Sequence, residues 1–273
     1  MENILLQTNR VRDYSIILKQ EQIQVRIEIP YFNVGAFSPD GKRVITNNGL
    51  NIRITDIDTG SYRDFTGHTE VINSLEYSSN GRYFISSSGR SLSRSNDNTV
   101  RIWDSETGQE VMVITGNNGR TRSALFSPDG KYIISRDETM LNFWNAENGT
   151  LIRNISITGS SASIAYSPDG SKIAVASGNR IIVLDAYNGR EIYNLTGLSR
   201  GNVIGLCFNP EGNRLISASS ENMLVWNMAT GWGTEIKIPR GNYPYQRIAL
   251  SLDGTTLIAE TENRIFVLGM ENK

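Results

Sequence analysis

The chain has 273 residues, a formal net charge of −1, 38% hydrophobic and 20% charged residues. That is too apolar for a disordered chain and too near neutral for general attraction to nucleic acid or a membrane surface, and the single cysteine permits no internal disulfide. No stretch nears the ~18 apolar residues of a membrane span, the start MENILLQTNRVRDY lacks the features of a signal peptide, and the cytoplasm is the expected compartment.

Taken from the N-terminus, 4–6 and 11–21 read as short apolar segments and 22–29 as a strand. A five-residue unit then recurs six times: FSPDG at 37–41, YSSNG at 77–81, FSPDG at 126–130, YSPDG at 166–170, FNPEG at 208–212 and LSLDG at 250–254. The glycines, Gly41, Gly81, Gly130, Gly170, Gly212 and Gly254, are spaced by 40, 49, 40, 42 and 42 residues, which marks a repeat array. Each unit is a turn: proline presets φ, Asp or Asn bonds the following backbone, and glycine accepts positive φ.

The third repeat predicts strands over 122–126, 131–135, 141–145 and 151–157, four in about forty residues. Second strands carry continuous apolar cores, Tyr83-Phe84-Ile85, Tyr132-Ile133-Ile134 and Ile173-Ala174-Val175. Runs without polar alternation predict burial on both faces, as when one sheet is stacked between two others. Four-stranded sheets stacked in this way give a β-propeller. Third strands end in Trp103-Asp104, Trp144-Asn145, Leu184-Asp185 and Trp226-Asn227, followed by Gly108, Gly149, Gly189 and Gly231, with Gly60 after Thr55-Asp56.

Here the chain resembles the WD-repeat family. VRIWDSETG at 100–108 is close to that family's consensus, and LNFWNAENG and MLVWNMATG are looser copies. The resemblance implies an all-β, WD-repeat-type β-propeller of four-stranded antiparallel blades, with six recognisable repeats over 31–273 in a single domain, 1–273. Repeat two carries eight extra residues within 86–96, and repeat six reaches residue 273 before its fourth strand. An open strand edge invites aggregation, so 22–29 is expected to complete the sixth blade. Residues 1–18 leave a degenerate seventh blade open.

The resemblance also implies a hydrogen-bonded set in repeat two: His68, the sole histidine, with Ser86, Asp97 and Trp103. Its reading is structural, since buried polar groups normally satisfy one another; the equivalents of His68 elsewhere are Asn117, Ser160 and Leu198. No serine-hydrolase elbow, phosphate loop or His-Glu-x-x-His is present. No catalytic residue, cofactor or metal ligand is therefore expected. Cys207 reads as a core thiol.

WD-repeat topology would gather the inter-blade loops and the loops between second and third strands on one face. Those loops carry Tyr31, Phe32, Arg90, Arg94, Arg120, Arg122, Arg200, Arg240, Tyr243, Tyr245 and Arg247. Arginine and tyrosine are enriched at interaction hot spots. The expected function is a non-catalytic scaffold for a protein or peptide partner, with an acidic or phosphorylated segment as one candidate ligand. The alternatives are a propeller enzyme with a metal in its channel and a structural module of a larger assembly. A monomer is expected unless the open ends pair with another chain.

Overall fold

The computed structural model describes residues 4–9, 13–20, 23–30, 34–90, 97–159, 161–197, 201–236, 245–251, 253–261 and 265–270, without the side chains of 4–30, 245, 246 and 265. Every regular element among the described residues is a β-strand, and no helix is long and apolar enough to cross a membrane. The chain groups into two compact units, Met1–Asn154 and Ile155–Lys273.

In the first unit, β1 (Ile4–Asn9), β2 (Asp13–Gln20) and β3 (Ile23–Pro30) form a three-stranded antiparallel sheet. Repeat one supplies β4 (Gly35–Phe37), β5 (Arg43–Asn48), β6 (Asn51–Asp56) and β7 (Tyr62–Phe65). Repeat two supplies β8 (Ile72–Tyr77), β9 (Tyr83–Ser88), β10 (Val100–Asp104) and β11 (Glu110–Ile114). Repeat three supplies β12 (Ser123–Phe126), β13 (Tyr132–Arg136), β14 (Met140–Asn145) and β15 (Leu151–Ser156). Each repeat is a four-stranded sheet ordered as in the chain.

The second unit repeats the plan with β16 (Ile164–Tyr166), β17 (Lys172–Ser177), β18 (Arg180–Asp185) and β19 (Glu191–Thr196). Next come β20 (Val203–Phe208), β21 (Arg214–Ser219), β22 (Met223–Asn227) and β23 (Gly233–Ile236). The last sheet has three described strands, β24 (Tyr245–Leu250), β25 (Thr256–Thr261) and β26 (Ile265–Gly269). Six repeats thus give six antiparallel blades of the β-propeller type.

The strand expected over 22–29 is β3, which pairs along its whole length with β2, from Asp13↔Pro30 to Gln20↔Ile23.

The continuous apolar second strands bury both faces. Phe84 packs with Ile45, Ile52 and Ile72, while its neighbour Ile85 packs with Ala124, Ile133 and Trp144 of repeat three. In the second unit Leu215 joins Ala174, Ile181 and Val183, and Ile216 faces Leu257 and Ala259. Adjacent residues of one strand point to opposite faces, so each second strand belongs to two inter-sheet cores.

The turns behave as their residues dictate. In the first, Ser38 Oγ donates to Asp40 Oδ1 (2.5 Å), Lys42 N–H donates to Asp40 Oδ1 (3.1 Å) and Gly41 takes φ 71°. The unit at 166–170 is built alike, and hydrogen bonds from Ser167 and from Ser171 N–H hold the Asp169 carboxyl down at about 2.

Candidate functional site

His68, Ser86, Asp97 and Trp103 meet in repeat two, all four buried. His68 sits in the connection from β7 to β8, Ser86 on β9, Asp97 just ahead of β10 and Trp103 on β10. His68 Nδ1 lies 3.0 Å from Asp97 Oδ2, His68 Nε2 lies 2.7 Å from Ser86 Oγ, and Trp103 Nε1 donates to Ser86 Oγ at 2.9 Å. Trp103 only donates and an ionised Asp97 only accepts, so Nδ1 carries a hydrogen, and in the neutral imidazole Nε2 then accepts from the Ser86 hydroxyl.

Burial works against the Asp97 carboxylate. Hydrogen bonds from His68, Thr99 and the Thr69 N–H outweigh it and hold the carboxyl well below the usual range. The result is a bolt tying the inter-blade connection to two strands, with both imidazole nitrogens and the indole N–H engaged.

Repeat three builds the same bolt from different residues. Trp144 Nε1 donates to Ser135 Oγ (2.8 Å), and Ser135 Oγ donates to Asn117 Oδ1 (2.6 Å). Asn142 Nδ2 donates to both Asn117 Oδ1 and Asp137 Oδ2 (3.0 Å each). Asn117 thus stands where His68 stands, and Asp137 takes the carboxylate role one position earlier relative to the tryptophan. In repeat five Trp226 Nε1 donates to Ser217 Oγ (2.8 Å).

Every repeat with the tryptophan has a serine five residues after its landmark glycine; repeats four and six carry Val175 with Leu184 and Ala259 with Leu268. A buried indole N–H needs an acceptor, and a leucine needs none. That pairing was readable in the sequence as a covariation between repeats.

The loop arginines are described in part. Tyr31, Phe32, Arg94, Arg200, Arg240 and Tyr243 lie outside the described residues, as do 91–96 of the insertion, and Tyr245 is described only as backbone of β24. Arg247 is an exposed residue of β24 in the second unit. Arg90, Arg120 and Arg122 belong to the first unit, Arg90 exposed and the other two half-buried.

Asn73 on β8 positions Arg120. Its Nδ2 donates to Gly89 O (2.8 Å) and Thr121 O (2.9 Å), and its Oδ1 accepts from Arg120 Nη2 (2.6 Å). Gly89 permits the approach: a Cβ there would sit 3.1 Å from the Arg120 Cα and 2.6 Å from Asn98 Oδ1. Arg122 Nη2 stands 3.7 Å from Glu138, and its backbone N–H donates to Arg136 O (2.7 Å).

Arg136, at the end of β13, is fully buried beside them, a residue sequence reasoning missed. Burial, with the Arg122 charge adding to it, pulls its pKa down to about 10, while Asp137 pulls the other way. Burial, then Arg122 and Arg90, likewise push Arg120 below its ordinary value, with Glu138 opposing. The signal available was a charge at the end of a second strand.

Among the described residues, two other titratable groups are shifted by burial alone: Glu76 on β8 up to about 8, and the Cys207 thiol up to about 12, which makes it a poor nucleophile. Among the described residues no group of three or more His, Cys, Asp or Glu side chains is placed to hold a metal ion.

Comparison with known proteins agrees with this geometry. The family model for the WD domain, G-beta repeat, matches residues 60–104 and 189–227. The chain is 22% identical over 213 residues to the serine-threonine kinase receptor-associated protein of Gallus gallus, covering 77% of this chain and 58% of that protein. It is 26% identical over 248 residues to telomerase Cajal body protein 1 of Homo sapiens, covering 80% and 45%. It is 29% identical over 196 residues to a nuclear distribution protein of Uncinocarpus reesii, covering 62% and 42%. The chain therefore spans between 42% and 58% of the length of these relatives.

Proposed function

Starting from a chain that belongs to the WD-repeat family and so serves protein–protein interaction in general, we propose a non-catalytic platform whose loops form a composite binding face. The partner is a protein or peptide carrying an acidic or phosphorylated segment. The observation behind this reading is the fastening of the loops. Asn73 ties the end of β9 and the loop carrying Arg120 to β8, and the buried bolts tie neighbouring connections to the blades. Loops held in this way keep their side chains at fixed separation, so little ordering cost opposes binding.

The same proposal holds that the chain works in the cytoplasm, as a monomer and without a cofactor. Its test is affinity capture from source-cell lysate with the wild type and with a variant carrying Arg90, Arg94, Arg120 and Arg122 changed to Glu. A partner retained by the wild type and lost by a variant of unchanged circular dichroism supports it. Retention by both forms removes the arginine face. Tight stoichiometric binding of a divalent metal, with turnover that a chelator abolishes, overturns the non-catalytic reading.

A further inference from the structure

The sequence contains five Asn-Gly pairs, at 48–49, 80–81, 118–119, 148–149 and 188–189. Such a pair is chemically labile. The glycine nitrogen, once deprotonated, attacks the asparagine Cγ, ammonia leaves and a five-membered succinimide forms. Water then opens either carbonyl, giving aspartate or isoaspartate, in which the main chain runs through the side-chain carbons. Glycine has no Cβ to obstruct the attack. All five asparagines are exposed, so exposure does not rank them. Hydrogen bonding separates them.

Three pairs are locked at both reacting groups. Asn80 Oδ1 accepts from Ser78 Oγ (2.9 Å) and Arg82 N–H (3.0 Å), while Gly81 N–H donates to Ser78 O (2.8 Å). Asn148 Oδ1 accepts from Thr150 N–H (3.0 Å) and Thr150 Oγ1 (2.7 Å), while Gly149 N–H donates to Asn145 O (2.9 Å). Asn188 Oδ1 accepts from Arg190 N–H (2.8 Å), while Gly189 N–H donates to Asp185 O (2.8 Å). Asn48 is an intermediate case: it ends β5, pairs with Asn51, and its Nδ2 reaches Asp64 Oδ2 at 3.5 Å.

The pair at 118–119 differs. Among the described residues neither the Asn118 side chain nor the Gly119 N–H has a hydrogen-bond partner, and Gly119 takes φ 82°. The backbone on either side is nevertheless fastened. Asn118 N–H donates to Asp137 Oδ2 (2.9 Å), Thr121 O accepts from Asn73 Nδ2 (2.9 Å), and Thr121 Oγ1 donates to Asn98 O (3.1 Å). Thr121 is fully buried. A reactive pair thus sits inside a loop whose two ends are tied down.

We propose that Asn118 is a modification site at which spontaneous succinimide formation and hydrolysis yield isoaspartate and release the loop carrying Arg120. Isoaspartate adds one atom to the backbone between the ties at Asn118 and Thr121, so both ties cannot keep their present separation. Water is the only co-reactant and ammonia the only leaving group. The inference does not depend on what the face binds, so it can fail while partner capture stands.

The experiment keeps the purified chain at physiological pH and temperature, folded and in urea. Its peptides are followed by mass spectrometry with electron-transfer fragmentation, which tells aspartate from isoaspartate. In the folded chain Asn118 should convert at least ~10-fold faster than Asn80, Asn148 or Asn188, where hydrogen bonds must open first. In urea the five should convert within about threefold of one another, because the turns are lost. Amide exchange over 118–122 should be at least ~10-fold faster in the converted protein. Asn118→Gln, whose longer side chain closes the ring poorly, should keep the exchange pattern of the fresh chain through the same incubation.

Conversion of Asn118 no faster than that of the three locked asparagines, or aspartate without isoaspartate, would overturn the site. A spread of rates in urea equal to that in the folded chain would overturn the role given to the hydrogen bonds. Unchanged exchange in the converted protein, or equal acceleration in the incubated Asn118→Gln variant, would overturn the release of the loop.

Discussion

Replacing His68 by alanine tests the logic of the buried bolt. The imidazole is wholly buried and Asp97 nearly so, with side-chain exposures of 0% and 2%. Its loss removes the bond to Asp97 and the acceptor of the Ser86 hydroxyl, and it takes away an edge-on contact with the Trp103 ring at 6.3 Å. Losing a hydrogen bond to a charged group costs about 1.5–3 kcal/mol, and the orphaned Ser86 hydroxyl adds about 1–3 kcal/mol. Asp97 keeps the donors of Thr99 and Thr69, which places the total at about 3 kcal/mol.

With a urea slope near 3 kcal/mol per molar, that is a fall of about 1 M in midpoint. His68→Asn should recover about 1 kcal/mol, since the amide oxygen of Asn117 accepts the serine hydroxyl in repeat three. Adding Ser86→Ala to His68→Ala should cost about 1 kcal/mol less than it does in the wild type. A His68→Ala protein with unchanged midpoint and slope would refute the reasoning.

Other consequences are equally measurable. The folded-state pKa of Asp97 is depressed, so its stabilisation is present above the ordinary carboxylate value and lost as pH falls below it; Asp97→Asn should flatten the stability–pH curve below about pH 4. Glu76 has the opposite sign. With its pKa raised from 4.5 to about 8, the folded state loses stability as pH climbs through that window, and Glu76→Gln should gain about 2 kcal/mol at pH 8 and little at pH 4.5. An unchanged difference between the two pH values would contradict it.

Gly41 and Gly108 share φ +71°, but a Cβ on Gly41 meets nothing within 4 Å while one on Gly108 would sit 1.8 Å from Phe65 Cε1. Gly41→Ala should cost about 1 kcal/mol and Gly108→Ala at least about 2 kcal/mol more by chemical denaturation. In repeat five, Ser217→Ala should destabilise the wild type by about 1–3 kcal/mol and a Trp226→Phe protein by clearly less, because phenylalanine has no N–H to orphan.

The blades were legible because turn chemistry is local. Gly41, Asp40 and Ser38 satisfy one another within a few residues, so the unit advertises itself wherever it occurs. The predicted 131–135 and 151–157 of repeat three match β13 and β15 within one residue at each end. Long-range choices were not so visible. The N-terminal sheet of β1, β2 and β3 lies outside the recurring turn unit, so the period of the turns does not address it. Asn117 was identified as the equivalent of His68, but its bolt was not read, because an amide replaces the imidazole there and Asp137 stands one position earlier than Asp97 relative to the tryptophan. Arg136 was hidden by its setting, since nothing in Ile133-Ile134-Ser135-Arg136 says which loop the last side chain meets.

Hydrogen–deuterium exchange of the chain alone and with its captured partner tests the platform most directly. The account predicts new protection over 69–73, 89–90 and 117–122, where the fastened loops lie. Protection confined instead to the exposed apolar positions of the outer strands and turns, Leu151, Ile152, Tyr187, Ile192 and Trp232, would contradict it and put the partner on the blade edges.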